Sequence, residues 1–223
     1  MRALDALMTL LDRGSVSLEE LASKAKCSVE EVAEALRSLE ASKLVWVSGG
    51  SVWLLDRVVG AIEALRLGAP LMEVASRLAW RDFEAFCSKA FEAHGYTTAS
   101  SLRFKWAGRS YEVDVAAWRR PILAVVDCKE WGLRAGKASQ LRRAVDRHLE
   151  RSEALANALS SLKEKLRLPS GVEAHVVPCL VTLLEEALLV HRGVPVVPVS
   201  KLNSFIQELH AYLDSLTVFK AVA

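Results

Sequence analysis

The sequence predicts a mixed α/β protein in which a β-sheet is flanked by helices, and three observations lead to this prediction. Residues 122–126 form a continuous apolar run, as in a strand that is covered on both faces. A break at Arg119-Arg120-Pro121 separates this run from an alternating segment at 111–118, so we expect two paired strands and a short turn. Helical patterns precede and follow the pair, at 71–94 and 137–168.

Composition narrows the class of protein. A chain of 223 residues predicts one large domain or two modest ones, and 52% hydrophobic with 25% charged residues is a globular profile. No apolar run reaches membrane-spanning length and the N-terminus has no signal-peptide layout, so we expect a cytoplasmic protein without a membrane partner. The four cysteines have no metal-ligand or redox spacing and are expected to be reduced, mostly buried thiols.

The first 56 residues predict three short helices followed by a β-hairpin. The first helix covers 2–11, the second covers 18–25 after Ser17, and Ser28 caps the third. Ser48-Gly49-Gly50-Ser51 lies between two apolar segments and predicts the hairpin turn. This order resembles a winged helix-turn-helix domain.

The third of these helices is acidic, which bears on what the domain binds. Its charged residues are Glu30, Glu31, Glu34, Glu40 and Arg37. In a helix-turn-helix domain the second helix of the pair enters the major groove, and an acidic helix there would repel phosphates. We therefore expect a role in dimerisation or partner docking. If the domain contacts DNA, Lys24, Lys26, Lys43 or the hairpin are better candidates.

Residues 57–79 are predicted to be a helical connector, and residues 80–223 a second domain. Beyond the central strands and the helix at 137–168, the pattern predicts alternating elements: a strand at 174–181, a helix at 183–191, a strand at 194–199 and a helix at 200–216. Two prolines place the 194–199 strand at an edge. A strand–helix–strand order implies a right-handed parallel crossover.

Charged residues cluster where the central strands end. Side chains alternate along a strand, so Asp127 and Lys129 share a face while Cys128 points to the other side. Strand pairing would bring Asp114 beside them. Buried charges are unfavourable by several kcal/mol unless they pair or bind a metal. Two carboxylates suit a hard divalent cation such as Mg²⁺.

These residues support two interpretations. In the first, Asp114 and Asp127 hold the metal, and Lys129 orients or helps to deprotonate a water that attacks a phosphodiester. In the second, Asp114 and Lys129 form an ion pair that caps an ordinary hairpin, since acidic strand ends are common.

The order Asp114, turn, Asp127-x-Lys129 resembles the core of the PD-(D/E)xK nuclease superfamily. The segment Tyr-Glu-Val-Asp-Val-Ala-Ala, followed by the segment Val-Val-Asp-Cys-Lys, resembles the Mrr-type restriction endonucleases and the archaeal Holliday-junction resolvases. The resemblance runs from about Trp80 to the C-terminus. It implies a restriction-endonuclease-like fold and DNA hydrolysis with Mg²⁺ or Mn²⁺, in repair, recombination or restriction.

The resemblance extends to two flanking positions. Glu84 matches an acidic residue that these families keep on the first helix, which implies a further metal or water ligand. Gln140 matches a Gln that they place beside the metal site. The sequence departs from the pattern at Ala144, where relatives often have Tyr, and at Val113, where many have Pro. His148 is a candidate to compensate for the missing Tyr.

The charge distribution indicates where DNA would bind. Net charge is only +2, but residues 100–151 contain 12 basic and 6 acidic residues. A loop just past Lys129 and the first turns of the following helix are well placed to contact a DNA backbone. The expected DNA-binding residues are Arg134, Lys137, Arg142, Arg143 and Arg147. For the three helical arginines, a solvated helix face is the alternative interpretation.

The leading hypothesis is therefore a Mg²⁺-dependent DNA endonuclease, and the resemblance implies a homodimer. The alternative is a catalytically inactive nuclease-fold module that binds DNA or a partner protein, which Val113 and the incomplete Gln motif favour. A transcription regulator is a third hypothesis that depends on the helix-turn-helix pattern alone, and the acidic helix argues against it.

Overall fold

The structure is a computed structural model that describes residues 2–129 and 137–223, and only the backbone of residues 137 and 138. The chain folds as two compact units, Met1–Phe83 and Glu84–Ala223. The sequence predicts a finer division, with boundaries after residues 56 and 79, and that division stays a prediction.

The first unit joins short helices to a three-stranded sheet. Its elements are α1 (Ala3–Arg13), β1 (Ser15–Ser17), α2 (Leu18–Ala25), α3 (Val29–Ala41), β2 (Val45–Ser48), β3 (Ser51–Leu54), α4 (Arg57–Arg66) and α5 (Leu71–Ala75). The sheet is antiparallel with the order β1-β3-β2. The three predicted helices and the hairpin are present, and β1 is an additional strand. The winged-helix assignment stays a prediction.

The predicted helix caps in this unit are confirmed. The Ser17 hydroxyl accepts a hydrogen bond from the Glu20 amide, and Ser28 forms a reciprocal capping box with Glu31. Val32, Leu36 and Leu39 are the buried face of α3. The four glutamates of α3 are exposed, so its solvent face is acidic as expected.

The second unit contains a mixed sheet. Helix α6 (Trp80–Ala93) leads into the elements of this unit: β4 (Thr97–Trp106), β5 (Arg109–Arg119), β6 (Ile122–Lys129), α7 (Lys137–Leu166), β7 (Glu173–Thr182), β8 (Val190–His191), β9 (Val194–Pro198), α8 (Leu202–Tyr212) and β10 (Phe219–Val222). The strand order is β4-β5-β6-β7-β9-β8, and β10 also pairs with β7. Strands β6, β7 and β9 are parallel neighbours, whereas β4, β5 and β6 form an antiparallel meander.

Helices cover both faces of the central strands. On one face the 30-residue helix α7 packs Leu155 and Leu159 against a buried cluster that includes Ala116 and Val125. On the other face Cys128 of β6 contacts Cys87 of α6, and burial together with this contact raises the pKa of the Cys128 thiol. The predicted α/β fold with a flanked mixed sheet is therefore confirmed.

The helix predicted at 183–191 is wrong. Residues 183–189 are not helical, and Val190 and His191 instead pair with Pro195 and Val194. The chain reverses at Arg192-Gly193, both with positive φ, as a tight hairpin of type I′ requires. A segment of this length cannot nucleate a helix without strong tertiary support, and strand pairing with β9 is available instead.

Strand β7 contains Pro178 at the point where its neighbour along one edge changes from β10 to β9. Strand β10 pairs with Glu173–Val176, and β9 pairs with Leu180–Thr182. Pro178 lies between these two segments and pairs with neither β9 nor β10, so its missing N–H does not interrupt either of those two ladders, although the register with β6 places it beside Val125. The sequence did not predict β10. It also placed β9 at an edge, where the two-residue β8 is found.

Several helix boundaries differ from those predicted. Residues 71–94 divide into α5 and α6 rather than forming one helix. Ser200 lies in a 3₁₀ turn, Val199–Lys201, and does not cap α8, which ends at Tyr212 before a second 3₁₀ turn. In contrast, α7 is uninterrupted. No helix within the described ranges has the length and apolarity needed to cross a membrane.

Replacing Leu155 by Ala should destabilise the protein by about 2–5 kcal/mol, because the side chain is fully buried between α7 and the sheet. Glu153→Ala, at an exposed position on the same helix, is the matched control and should change stability by less than about 0.5 kcal/mol. Urea unfolding measures both. Equal effects for the two variants would contradict the packing of α7 described above.

Candidate active site

The candidate site lies where β5 and β6 run side by side. Their antiparallel register pairs Val115 with Val126 and Ala116 with Val125. Continuing this register by one residue places Asp114 opposite Asp127. The two carboxylates predicted to act together therefore come from neighbouring strands at one level of the sheet.

The backbone around Asp114 departs from regular alternation. Val113 and Ala116 belong to the same buried cluster, although strict alternation would place them on opposite faces. On the neighbouring strand Ser101, which the register places opposite Asp114, has a φ of 49°, an uncommon value for a residue other than glycine. The Asp114 carboxylate accepts a hydrogen bond from the Cys128 amide at 2.8 Å. The Asp114 carboxylate is therefore directed toward β6.

Asp127 is buried and holds two cations. Its side chain is only 3% exposed. One oxygen, Oδ2, lies 2.8 Å from Nζ of Lys129, and the other, Oδ1, lies 2.8 Å from Nη1 of Arg151 on α7. Asp127 and Lys129 therefore share a face, as the alternation predicted, and both oxygens of the carboxylate are paired.

The two aspartates differ in acidity. Burial raises the pKa of Asp114 above its ordinary value, and the negative charge of Asp127 adds to this effect. Burial also acts to raise the pKa of Asp127, but His148, Lys129 and Arg151 outweigh it, and the pKa is lowered. Oppositely shifted pKa values in adjacent carboxylates are typical of functional sites.

His148 is buried beside the site, between α7 and β6, and carries no charge at neutral pH. It is fully buried on α7, and its Nε2 donates to the Val125 carbonyl at 2.9 Å. Burial lowers its pKa from 6.5 to about 4. At pH 7 the cations beside Asp127 are therefore Lys129 and Arg151. His148 hydrogen-bonds to the backbone, and among the described residues its Nδ1 has no partner.

The structure brings Asp114, Asp127 and Lys129 together, but not every predicted residue joins them. Glu84 is half-buried on α6. Within residues 2–129 and 137–223, no three His, Cys, Asp or Glu side chains are arranged to hold a metal ion, so Glu84 does not form one cluster with the aspartates. Its role as a ligand stays a prediction. Gln140 is exposed in the first turn of α7.

The predicted DNA-binding residues divide into two groups. Arg142, Arg143 and Arg147 are exposed on the N-terminal half of α7. Arg134 and the side chain of Lys137 lie outside the described residues. The three exposed arginines are available to a phosphate backbone on the same helix that supplies Arg151 to the site.

Arg151 is the site residue that the sequence analysis missed. A signal for it was present, because Gln140, Ala144, His148 and Arg151 follow one another at helical spacing along one stripe of α7. By its resemblance to the nuclease families, Gln140 is expected beside the metal site. The stripe of α7 that contains Gln140 and His148 reaches Arg151 three residues after His148. Helical spacing is the one sequence signal that separates Arg151 from the exposed arginines Arg142, Arg143 and Arg147.

The donor set suits a hard divalent cation. Asp114 and Asp127 offer carboxylate oxygens from adjacent strands, and Mg²⁺ is commonly held by one or two carboxylates, with waters and substrate phosphates as its other ligands. A cation bound to these oxygens would compete with Lys129 and Arg151 for Asp127. The residues present therefore fit a metal that completes its coordination with water and phosphate.

Comparison with known proteins places this site within a family. Residues 75–154 match the model of a restriction endonuclease family. An uncharacterized protein from Archaeoglobus fulgidus is 33% identical over 134 residues, which cover 60% of this chain and 94% of that protein. The matched residues 75–154 include both aspartates, Lys129 and Arg151.

Two solved structures are similar to parts of this chain. A crystal structure of the protein VC1899 from Vibrio cholerae is 15% identical with a TM-score of 0.38, and the match covers 96% of this chain and 51% of that one. A protein of unknown function, AF1548, is 18% identical with a TM-score of 0.28, and the match covers 44% of each chain. The chain therefore spans about half the length of these solved structures or less.

Stability should fall as the pH is lowered from about 6.5 to about 4, in part because of His148. Its pKa is depressed in the folded state, so the unfolded chain binds the proton first and folding loses up to about 3 kcal/mol across this window. His148→Gln, which keeps an N–H donor for Val125, should show a shallower pH dependence in urea unfolding. Parallel curves for the two proteins would contradict a buried neutral His148.

Proposed function

We propose that this chain, which belongs to the restriction endonuclease family through residues 75–154, is a metal-dependent DNA endonuclease that hydrolyses phosphodiester bonds. The observation that carries the proposal is the meeting of Asp114, Asp127 and Lys129 at one level of adjacent strands. Two carboxylates on neighbouring strands, with a lysine beside them, are a donor set that a hard divalent cation binds.

Each residue of the site has a role in this proposal. Asp114 and Asp127 would hold Mg²⁺ or Mn²⁺, with Glu84 as a further ligand or a ligand to a water. The cation would supply Lewis-acid polarisation of the phosphoryl oxygen and a more acidic bound water. Lys129, which Asp127 positions at 2.8 Å, would orient the attacking water or help to deprotonate it. Gln140 would support the site from α7.

The DNA backbone would lie along α7. Arg142, Arg143 and Arg147 are exposed there, and arginine pairs with phosphate oxygens in a bidentate geometry. Arg134 and Lys137, which lie wholly or in their side chains outside the described residues, stay predicted DNA contacts. These contacts would position the duplex without reading its sequence.

The first unit would dock a partner protein or a second copy of the chain. The exposed face of α3 is acidic, and its one arginine, Arg37, is paired with Glu34 at 2.8 Å. This surface suits a basic protein partner better than a phosphate backbone. A homodimer that cuts two strands is part of this proposal, as is the winged-helix assignment of residues 1–56.

A second candidate function is that of an inactive nuclease-fold module. The observation that favours it is that both oxygens of Asp127 are already paired, with Lys129 and Arg151. Ala144 and Val113, which depart from the family pattern, also favour an inactive module. Direct measurement of Mn²⁺ binding distinguishes the two functions, because only a nuclease needs the aspartates as ligands.

Purified protein should cleave labelled DNA in Mg²⁺ or Mn²⁺ and lose this activity in chelator. Single-stranded, duplex, flap and four-way-junction substrates should be compared. Asp114→Asn, Asp127→Asn and Lys129→Met should each lower the rate by about 100-fold or more, because each removes a ligand or a group at the attacking water.

The matched control for these variants is Glu112→Gln. Glu112 is an exposed carboxylate two residues from Asp114, paired with Arg103, and its loss should leave the rate within about 3-fold. Circular dichroism and thermal unfolding confirm that each variant folds. Full cleavage by both the Asp127 and the Lys129 variants would remove this site assignment.

Neutralising Arg142, Arg143 and Arg147 together to Gln should weaken DNA binding in a salt-dependent way. If each contacts one phosphate, the slope of log K against log salt should become shallower by up to about 2.7, since each contact contributes about 0.9. Fluorescence anisotropy with a duplex probe over a range of salt concentrations measures this slope. Neutralising Lys163, Lys165 and Arg167, at the other end of α7, is the charge-matched control. An equal change in the control would overturn the assignment of the surface.

A further inference from the structure

We propose that Arg151 is a positioning residue of this site that exchanges partners. Without a cation it holds Asp127, and when a divalent cation takes the Asp127 oxygen it is released to bind a DNA phosphate. This inference rests on the proposed nuclease function and deepens it. It makes metal binding and DNA binding at this site dependent on each other.

The charges of the described site balance without a metal. Asp114 and Asp127 contribute two negative charges, and Lys129 and Arg151 contribute two positive charges. A carboxylate as buried as Asp127 needs a counter-ion, because an isolated buried charge is strongly unfavourable. Arg151 supplies that counter-ion from α7, and its Nη1 lies 2.8 Å from Oδ1.

A divalent cation at the aspartates would upset this balance. Two carboxylates would then face four positive charges, so the cation and the guanidinium repel each other and compete for Oδ1 of Asp127. The competition is reciprocal, because a ligand that weakens the Arg151 contact must itself be weakened by that contact. Arg151 therefore lowers the affinity of the empty site for cations.

Arg151, rather than Lys129, is the cation that leaves. Lys129 lies two residues from Asp127 on the same strand and stays beside it whatever binds. Arg151 reaches the site from a different element, and its side chain is 23% exposed. Its planar guanidinium has five donors and matches phosphate oxygens better than an ammonium does.

DNA provides the charge that makes the exchange favourable. A phosphodiester at the site would bring negative charge near both the cation and the released guanidinium. The cation and the DNA would therefore each bind more tightly when the other is present. Arg142, Arg143 and Arg147 lie on the same helix and would guide the backbone toward Arg151. The cation would then be held firmly only when substrate is present.

The alternative is that Arg151 is a structural ion pair that merely keeps Asp127 in place. The two accounts make opposite predictions for Arg151→Gln. If Arg151 competes with the cation, its removal should tighten Mn²⁺ binding. If it is structural, its removal should leave Asp127 misplaced and weaken Mn²⁺ binding.

The experiment titrates the full chain with Mn²⁺ in calorimetry, without DNA, for wild type and for Arg151→Gln, Arg151→Lys and Lys165→Gln. We expect Arg151→Gln to bind Mn²⁺ about 5- to 10-fold more tightly. Arg151→Lys, which keeps the charge, should stay within about 2-fold of wild type. Lys165→Gln, exposed at the far end of α7, should not change Mn²⁺ affinity.

The second readout is duplex binding by anisotropy, with Ca²⁺ as the cation. Arg151→Gln should bind DNA about 10-fold more weakly, because a charge-assisted phosphate contact is lost. Arg151→Lys should be weakened less, since an ammonium forms a single contact in place of a fork. Opposite shifts in metal and DNA affinity for one variant are the signature of partner exchange.

Each result decides the question. Unchanged or weaker Mn²⁺ binding in a folded Arg151→Gln variant would overturn the proposal. If that variant does not fold, unchanged DNA affinity in Arg151→Lys would overturn it. Asp127→Asn separates this failure from that of the proposed function. If no protein binds Mn²⁺, the nuclease function and this inference both fail. If wild type binds Mn²⁺ through Asp127 but Arg151→Gln does not tighten it, only the inference fails.

Discussion

The buried carboxylate of Asp127 is the constraint on which the second unit depends. A charge at this depth in a sheet requires counter-ions, and they come from two directions, Lys129 along the same strand and Arg151 from α7. The ion pair between Arg151 and Asp127 holds α7 against the sheet at the level of Asp127. His148 reinforces this attachment one turn earlier, by a hydrogen bond to the Val125 carbonyl. The polar site and the apolar contacts of α7 thus stabilise the same packing.

The pairing of the neighbouring strands places both aspartates at this level of the sheet and buries Asp127. Antiparallel pairing of β5 with β6 sets the two aspartates side by side, and parallel pairing of β6 with β7 buries the strand that carries Asp127. Strands β10 and β9 share the far edge of β7 and pair with its beginning and its end, so most of that edge is covered. Burial in turn makes the electrostatic interactions of the site strong, because nearby water is excluded.

Under the proposed function, a site with this balance of charge would take two ligands together, a divalent cation and a phosphodiester. The aspartates alone attract a divalent cation, whereas the lysine and arginine alone attract phosphate. Together they neutralise each other, so neither ligand finds an unopposed charge. In the proposed complex a phosphodiester with its cation would satisfy all four groups at once, which would favour the substrate complex over either ligand by itself. Membership of the restriction endonuclease family is consistent with this chemistry.

Much of this could be predicted from local sequence, and the remainder depended on contacts between distant segments. The alternation of a strand determined by itself that Asp127 and Lys129 share a face, and the proline break determined the β5–β6 hairpin that sets Asp114 opposite Asp127. Helix caps at Ser17 and Ser28 were equally local. Only the tertiary structure decided that Arg151, 24 residues from Asp127, completes the ion cluster. The same is true of the strand pairing that replaced a helix at 183–191 and of β10, because a short segment takes its conformation from the edge it meets.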